Sequence, residues 1–521
     1  MSQQHSRKQH YIACDLGAES GRVILGTLHE GRLTLEEMHR FPNGPLQVGS
    51  TMRWDTDRIF SELKAGLARV AAHLETGSES ANSLSVDSWG VDYVLMHGGR
   101  SVALPYHYRD PRTEAAYAQV QEAGLRDWIF SETGVQFMPI NTLYQLIAHW
   151  QQEPEQIAEA DQLLLIADYF NALFSSVAVV ERSLASTTQL YNPITTQWSE
   201  EMQYEFSLPP PLFPPLVDPG TVLAPLKPEI SEETGLRGVQ IIATCSHDTA
   251  AAVAAVPVSE QSEEDRNWAF LSSGTWSLLG VELPRPLISA GIQAAGFTNE
   301  IGYGGTVRLL KNIAGLWIVQ ECRRAWLAEG LDFSYDALTQ RAGDAAPLCS
   351  LIRPDDARFL SSGDMPRKVQ DFCRETGQAV PETPGEIVRS ALVSLALSYR
   401  QTLEQIAMQT GRTHRLRRLH IVGGGSRNAL LNQFAAEATG KTVLAGPAEA
   451  TAIGNLLLQA VTLGHLDSLA ALRRTVRASF PVQTFEPVQA DAWEDLTPDF
   501  KTWRHANDAE DLPICQRLME R

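Results

Sequence analysis

The sequence predicts an α/β protein with at least two domains. Its 521 residues are too many for one hydrophobic core. Between Arg418 and Leu463 the pattern alternates strand, helix, strand, helix, which is typical of parallel strands covered by helices. The two halves of the chain each begin with a strand–turn–strand pattern, at Tyr11–Leu28 and at Phe270–Leu283. We therefore expect a duplicated architecture.

Each predicted element rests on the period of its apolar residues and on the turn residues that bound it. The predicted elements are strands Tyr11–Leu16, Arg22–Leu28 and Leu84–Asp87, helices Asp110–Glu122 and Asn141–Gln151, strand Ile241–Thr244, helix Ala250–Ala255, hairpin Phe270–Leu283, helix Glu386–Gln409, strand Arg418–Val422, helix Asn428–Thr439, strand Thr442–Ala445 and helix Glu449–Leu463. Eight prolines between Leu208 and Pro228 predict an irregular excursion there. Asn312 and Gln320 are predicted to share a helix with Trp317.

The domain boundary is predicted beside an acidic connector, Val258–Asn267. This division gives a first domain over residues 10–257, a second over residues 258–466, and a C-terminal extension over residues 467–521.

Charge and composition narrow the function classes. The formal net charge of −19 disfavours nucleic acid and anionic lipid as partners. No apolar stretch approaches the length of a membrane span, and Met1–His10 is polar without an apolar core, so a cytoplasmic protein is expected. The six cysteines are scattered with no C-x-x-C pair, which favours reduced thiols.

The first polar turn, Asp15–Arg22, is a candidate phosphate loop. Gly17 and Gly21 permit a tight turn, while Ser20 and Arg22 supply donors for phosphate oxygens. Asp15 could hold Mg²⁺ through water. An ordinary hairpin turn with an aspartate cap explains the segment equally well.

A second polar segment follows the predicted strand Ile241–Thr244. Asp248 lies where α/β proteins place reacting groups, and its carboxylate could accept the proton of a sugar hydroxyl. The same residue could simply cap the alanine-rich helix that follows. Trp89, among polar residues at another strand end, is either core or a platform for a sugar ring.

Two further turns carry glycine in the second half. Ser272–Thr275 could bond phosphate oxygens, and Gly423–Gly425 exposes bare backbone between a strand and a helix. Each could equally be only a tight turn. Gly440-Lys441-Thr442 looks like the end of a P-loop, but it ends a helix and starts a strand, which is the reverse order.

Taken together, the order of these turns resembles that of the FGGY carbohydrate kinases, within the actin/hexokinase superfamily. The resemblance is carried by DLGAESGRV, VDSWGVDYVL, LPYHYRD, NTLYQL, ATCSHDTAAAV, LSSGTWSLLG, LLKNIAGLWIVQ, LHIVGGGSRNALLNQ and the stretch from Gly446 to Asn455. These strings span most of the chain. They are most similar to the family members that act on L-rhamnulose.

The resemblance implies an α/β fold of two actin-like, RNase H-like domains with a hinged cleft between them, and an ATP- and Mg²⁺-dependent kinase. Asp248 would be the base that deprotonates the C1 hydroxyl of L-rhamnulose, and Asp15 would hold Mg²⁺ through water. The sugar would contact Trp89, Gly90, His247, Asp248 and Thr249. The nucleotide would contact Ala18, Glu19, Ser20, Gly21, Arg22, Thr275, Asn312, Gln320 and Gly424.

One residue departs from the family pattern. Glu19 stands where this loop often has a small hydroxyl residue, so its carboxylate is expected to point away from the phosphates. A kinase for another ketose such as L-fuculose or D-xylulose, a sugar-sensing protein without catalysis, and an actin-like filament protein remain alternatives. The expected partners are the ketose and ATP, with no nucleic acid or membrane, in a monomer or weak dimer.

Overall fold

A computed structural model describes residues 8–259, 267–345, 350–412, 415–490, 493 and 496. The described residues form two compact units. The first is drawn from Met1–Pro257, Glu282–Leu310 and Glu449–Phe480, and the second from Val258–Val281, Lys311–Ala448 and Pro481–Arg521. Sequence analysis predicted continuous domains, whereas each unit is assembled from three separated segments. Residues 260–266 of the predicted acidic connector lie outside the described residues.

The secondary structure contains both strands and helices throughout. The strands are β1 (Gln9–Leu16), β2 (Ser20–His29), β3 (Arg32–Pro42), β4 (Leu46–Val48), β5 (Thr51–Arg53), β6 (Ala81–Ser88), β7 (Tyr93–His97), β8 (Arg100–Ser101), β9 (Gln162–Leu165), β10 (Val180–Glu181), β11 (Tyr191–Asn192), β12 (Gln197–Trp198), β13 (Leu216–Val217), β14 (Thr221–Pro225), β15 (Gln240–Ala243), β16 (Trp268–Ser273), β17 (Trp276–Leu283), β18 (Thr298–Ile301), β19 (Val307–Ala314), β20 (Arg418–Val422), β21 (Thr442–Ala445) and β22 (Gln483–Phe485). The α-helices are α1 (Thr56–Thr76), α2 (Thr113–Glu122), α3 (Arg126–Thr133), α4 (Thr142–Gln152), α5 (Pro154–Glu159), α6 (Ile166–Ser175), α7 (Arg182–Ala185), α8 (Glu200–Glu205), α9 (Pro228–Thr234), α10 (Asp248–Ala254), α11 (Ala290–Ala294), α12 (Trp317–Ala328), α13 (Tyr335–Asp344), α14 (Ala357–Leu360), α15 (Met365–Glu375), α16 (Pro384–Gln409), α17 (Ala429–Thr439), α18 (Ala450–Thr462) and α19 (Leu469–Ser479). Short 3₁₀ helices cover Pro210–Leu212, Tyr303–Gly305 and Gly424–Arg427.

The first unit is built on a six-stranded mixed sheet in the order β14-β15-β6-β1-β2-β3. Strands β15, β6 and β1 run parallel, while β2, β3 and β14 are antiparallel to their neighbours. The proline-rich excursion supplies the edge strand β14, which ends at Pro225. Proline is tolerated there because an edge strand has an unpaired side. The carboxyl ends of the three parallel strands meet at one edge of the sheet, where Asp15, Asp87 and Asp248 lie.

Helix α18 returns to the first unit and packs against α10. Gly454 makes this approach possible, because a Cβ on it would lie 1.9 Å from the carbonyl oxygen of Ala251. On the sheet side, Leu456 occupies the space beside Gly26, where a Cβ would lie 2.7 Å from its methyl group. Helix α18 is therefore part of the hydrophobic core that lies beneath the carboxyl edge of the sheet.

In the second unit, β16 pairs with antiparallel β17 and parallel β20, and β20 pairs with parallel β21. The run β20–α17–β21–α18 has the strand–helix alternation that the sequence predicts. Strand β22 then pairs antiparallel with β21. Helix α16 begins with a capping box in which Thr383 and Glu386 satisfy each other's backbone N–H groups.

The structure corrects one predicted element. Asn312 lies on β19, not on the helix that was predicted to carry it, and only Gln320 is helical. Gly315 ends the strand and α12 begins at Trp317, so a strand and a helix occupy the stretch that sequence analysis treated as one helix.

Two predictions from composition can be compared with the structure. Cys14, Cys245, Cys322 and Cys373 are buried free thiols, and Cys349 and Cys515 lie outside the described residues. Among the helices in the described ranges, none combines the length and apolar character that a membrane span requires.

Candidate active site

Three carboxylates lie at the carboxyl edge of the sheet in the first unit. Asp15 is the penultimate residue of β1 and pairs in register with Asp87 of β6, while Asp248 follows β15 and begins α10. Burial raises the pKa of Asp87 well above its ordinary value, and the charges of Asp15 and Asp248 raise it further. Sequence analysis singled out two of these acids and gave Asp87 no role.

Asp248 presents its two carboxylate oxygens differently. Oδ1 accepts hydrogen bonds from the backbone N–H and, at 3.0 Å, the hydroxyl of Thr249. Oδ2 has no hydrogen-bond donor among the described residues. Burial is the main cause of the raised pKa of Asp248, and Asp15 adds to it, although His247 opposes it. Oδ1 is thus held by Thr249, while Oδ2 makes no hydrogen bond with the described residues.

His247 is fixed beside Asp248 by both its backbone and its ring. Its N–H donates to Ser183 Oγ at 3.1 Å, and its backbone forms a bridge with Ser88 at the end of β6. Its buried ring places Nε2 3.4 Å from Asp248 Oδ1. Because Ser88 precedes Trp89 and Gly90, the structure brings the predicted sugar-binding residues to the same edge.

The predicted phosphate loop is a tight turn held by Asn43. Gly17 N–H donates to Ser20 O at 2.9 Å, Asn43 Nδ2 donates to Gly17 O at 2.8 Å, and Asn43 N–H donates to Glu19 O at 2.9 Å. Ala18 lies at the tip and is half-buried. Glu19 is exposed, and the predicted orientation of its carboxylate stays a prediction.

Two residues of this loop serve the protein's own packing. The Arg22 guanidinium bonds the carboxylates of Asp15 and Glu449, rather than standing open as the predicted phosphate donor. Gly21 leaves room for the Phe41 ring, since a Cβ there would lie 2.2 Å from it. Asp15, the predicted Mg²⁺ ligand, therefore already forms an ion pair with the Arg22 guanidinium.

Trp89 belongs to a buried hydrogen-bond cluster centred on Asp92. Its indole Nε1 donates to Asp92 Oδ2 at 3.0 Å, and its ring centroid lies 4.1 Å from that of Trp54. Trp89 is only 7% exposed, so most of its ring is a packing surface. Gly90 lies against Thr187, where a Cβ would meet the hydroxyl oxygen at 2.9 Å.

In the second unit, two predicted nucleotide-binding turns pack against each other. A Cβ on Gly425 would lie 2.0 Å from Ser273 Oγ, and a Cβ on Gly423 would lie 2.8 Å from Ser273 O, whereas Gly424 faces open space. Gly423 also has a φ of +84°, which favours glycine. Among the described residues, the buried Ser273 hydroxyl makes no hydrogen bond of acceptable geometry, and the hydroxyl of Tyr399 lies close to it.

Helix α12 is tied to the same turn. The N–H of Trp317 donates to Thr275 O at 3.1 Å, which places Gln320 one turn into the helix. Gln320 Oε1 is buried and has no hydrogen-bond partner in the part of the chain that the structure describes. Asn312 lines a pocket with Lys311, Arg353 and Gln401. Thr275 and the helix that carries Gln320 are thus joined through Trp317, and the turn that contains Gly424 packs against Ser273.

The chain belongs to the FGGY family of carbohydrate kinases. Residues 10–255 match the N-terminal domain of this family and residues 269–463 match its C-terminal domain. Among curated proteins, the chain is 42% identical over 495 residues to a rhamnulokinase from Bacteroides thetaiotaomicron, covering 95% of this chain and 99% of the relative. It is 40% identical over 494 residues to a rhamnulokinase from Enterococcus faecalis, covering 94% and 97%.

Solved structures confirm the predicted fold class. A xylulose kinase from Lactobacillus acidophilus superposes with a TM-score of 0.78 at 15% identity, covering 96% of this chain and 99% of that one. A glycerol kinase from Plasmodium falciparum with ADP gives 0.75 at 15% identity, covering 97% and 99%. The predicted hinged cleft stays a prediction.

Several residues at this edge were missed by sequence analysis. Asn455 Nδ2 donates to Asp87 Oδ2 at 2.6 Å from helix α18, and Glu449 reaches Arg22. Glu300 and Arg308 lie beside His247. Only Asp87 carried a usable signal, because it ends a predicted strand as Asp15 does. The others come from segments far along the chain, whose proximity the sequence does not encode locally.

Proposed function

We propose that this chain transfers the terminal phosphate of ATP to the C1 hydroxyl of L-rhamnulose, giving L-rhamnulose 1-phosphate and ADP. Family membership supports the kinase reaction, and the near full-length similarity to rhamnulokinases supports the sugar. The observation that carries the mechanism is the position of Asp248, with one oxygen held by Thr249 and the other unbonded by the described residues.

Asp248 acts as the general base. Its Oδ2 takes the proton as the C1 O–H bond breaks, the oxygen forms a bond to the terminal phosphorus, and the bond from phosphorus to the leaving oxygen of ADP breaks. A raised pKa suits this role because it increases the proton affinity of the carboxylate at neutral pH. Trp89, Gly90, His247 and Thr249 line the ketose in this proposal.

The nucleotide is held by two sets of residues. Backbone groups and Ser20 in the turn Ala18–Arg22 face the phosphates, and Thr275, Asn312, Gln320 and Gly424 contact the nucleotide from the second unit. The buried Gln320 Oε1, which makes no hydrogen bond with the described residues, supports a ligand beside Thr275 and Gly424. With Arg22 paired to Asp15 and Glu449, we assign it to orientation of the loop rather than to a direct phosphate contact.

The acidic edge fits a hydrated Mg²⁺ better than a directly bound one. Among the described residues, no three histidine, cysteine or carboxylate side chains are grouped closely enough to hold a metal. Mg²⁺ commonly keeps several waters, and the buried Asp87 Oδ1 has no hydrogen-bond partner within the described ranges. Asp15, with Asp87 beside it, would hold the ion through water. Mg²⁺ would neutralise charge on the terminal phosphates.

Replacing Asp248 by asparagine tests the base. We expect turnover to fall by about 10²- to 10⁴-fold while ATP affinity stays near the native value, because the amide cannot take the proton. ADP release in a coupled assay measures the first quantity and calorimetry the second. Asp336→Asn, on an exposed position of α13, is the control and should behave as wild type. Near-native turnover in Asp248→Asn would rule out this role.

The sugar is tested with a panel of ketoses that includes L-rhamnulose, L-fuculose and D-xylulose, each with ATP and Mg²⁺. The highest kcat/KM is expected for L-rhamnulose. A higher value for another ketose would reassign the substrate and leave the kinase mechanism in place. Absence of ADP release with every sugar would point to a sensing protein.

A further inference from the structure

His247 lies between Asp248 and a buried ion pair that the proposed mechanism has not used. Glu300 of β18 and Arg308 of β19 are direct cross-strand partners, with Glu300 Oε2 3.1 Å from Arg308 Nη2. Arg308 is fully buried, and only 6% of the Glu300 side chain is exposed. Both groups approach one ring nitrogen of His247: Nδ1 is 3.3 Å from Arg308 Nη2 and 3.3 Å from Glu300 Oε2.

The hydrogen-bonding chemistry of these groups decides where the imidazole carries its proton. A guanidinium has only donors, so the hydrogen bond between Arg308 Nη2 and His247 Nδ1 requires Nδ1 to accept. Glu300 Oε2 is the competing partner, since it is equally close and attracts the ring, and a hydrogen bond to it would hold the hydrogen on Nδ1 instead. Its contact lacks hydrogen-bond geometry among the described residues, whereas that of Arg308 has it. A neutral ring that accepts at Nδ1 carries its hydrogen on Nε2, which is the nitrogen 3.4 Å from Asp248 Oδ1.

We propose that Arg308 and Glu300 are positioning residues for phosphoryl transfer, which fix His247 as the tautomer that donates Nε2–H to Asp248 Oδ1. The inference rests on the proposed role of Asp248 as the base. Arg308 sets the tautomer, and Glu300 balances the charge of the guanidinium and holds it in the sheet.

This arrangement gives the two oxygens of Asp248 different tasks. Thr249 donates two hydrogen bonds to Oδ1, and His247 Nε2 lies 3.4 Å from the same oxygen, so the carboxylate is oriented with Oδ1 toward these groups. Oδ2 is then the oxygen left to receive the proton of the sugar hydroxyl. With the opposite tautomer, a lone pair on Nε2 would face Oδ1, and the resulting repulsion would turn the carboxylate away.

The test replaces the ion pair without leaving a buried charge. In Glu300→Met with Arg308→Met, apolar side chains of similar length take both places, an exchange that buried ion pairs commonly tolerate. The matched control is Glu282→Met with Arg473→Met, which removes another buried Arg–Glu pair of the same unit, 2.8 Å apart. Thermal unfolding checks that both double variants are folded.

Two readouts separate positioning from a general structural role. The ¹⁵N shifts of the His247 ring, assigned by their loss in His247→Gln, report which ring nitrogen carries the hydrogen. Steady-state kinetics report kcat and the KM for ATP. We expect the native ring to be protonated at Nε2. In the Glu300/Arg308 double variant we expect a mixture of tautomers, kcat lower by about tenfold or more and an unchanged KM for ATP, with the control native on every measure.

The outcomes are decisive in either direction. A native ring protonated at Nδ1 would overturn the proposal, and this measurement stands even if the double variant does not fold. A folded double variant with native kcat would also overturn it. These results are distinguishable from failure of the proposed function, which would appear as near-native turnover in Asp248→Asn whatever the tautomer of His247.

Discussion

At the scale of single residues, Asp92 is the centre of a buried hydrogen-bond cluster. It lies in VDSWGVDYVL, one of the strings that carry the family resemblance. Its carboxylate accepts from Trp54 Nε1 at 2.6 Å, Trp89 Nε1 at 3.0 Å, Tyr108 N–H at 3.2 Å and Gln145 Nε2 at 2.8 Å. These donors come from four separate stretches of the chain. Asp92 therefore holds Trp89, and with it the loop after β6, in one conformation.

Asp92 leads to a prediction about pH and stability. Burial raises its pKa from 3.8 to about 6, against the opposing effect of its donors. Because the folded-state pKa is the higher one, the stabilisation is complete below the unfolded pKa and is lost as the pH rises through about 6. We expect this group to lower the free energy of unfolding by up to about 3 kcal/mol between about pH 4 and pH 7.

Urea unfolding across this pH range measures the effect as the difference in stability between wild type and Asp92→Asn, which should shrink as the pH rises. A flat profile for Asp92→Asn would contradict the prediction.

At the scale of secondary-structure elements, α18 is the helix on which the acidic edge depends most. Asn455 bonds Asp87, and Gln459 Nε2 donates to Ile12 O at 2.9 Å and to Asn455 Oδ1 at 2.7 Å. Glu449, immediately before the helix, bonds Arg22. The side chains of this helix therefore hold strands β1 and β6, which carry Asp15 and Asp87. The helix can reach them because Gly454 lets it lie close to α10.

Gly454→Ala should destabilise the protein by about 2 kcal/mol, because the new methyl group meets the backbone of Ala251, which cannot move as a side chain could. The matched variant is Gly343→Ala in α13, where a Cβ meets nothing within 4 Å. It should be neutral or stabilising by about 0.5–1 kcal/mol, through the better helix propensity of alanine. Urea unfolding of both variants makes the comparison, and equal effects would disprove the packing argument.

At the scale of the whole molecule, the first unit depends on residues from three distant parts of the chain. Arg473 of α19 donates to Val253 O at 3.3 Å and Ala254 O at 3.4 Å, at the end of α10, and to Glu282 Oε2 at 2.8 Å. One buried side chain thus joins all three segments of the unit. Sequence analysis placed Arg473 in a C-terminal extension and assigned it nothing.

Arg473→Ala should lower the free energy of unfolding by about 3 kcal/mol, since Glu282 loses its partner and two helix-end carbonyls lose a donor. The neighbouring Arg474 is exposed, and Arg474→Ala should change stability by less than about 0.5 kcal/mol. Thermal unfolding of the two variants provides the measurement. Similar values would mean that the contacts of Arg473 carry little of the stability.

The sequence by itself determined the local features of this protein. Strand β20 and strand β21 were predicted at their observed bounds, because short apolar runs between glycine turns have few alternatives. Strings such as DLGAESGRV and ATCSHDTAAAV were enough to indicate the family, and the comparisons confirm it. Asp15 and Asp248 could be proposed as site residues because the sequence alone shows a polar residue near the end of a predicted strand or just after it.

Only the tertiary structure decided which groups meet. Asp87 joins Asp15 through strand register, Arg22 turns to Asp15 and Glu449, and Glu300 with Arg308 reaches His247. These contacts join residues separated by between 7 and 427 positions. Local propensity acts over a few residues, whereas burial of a shared core brings distant segments together. The sequence therefore indicates which chemical groups are present, and packing determines which of them face one another.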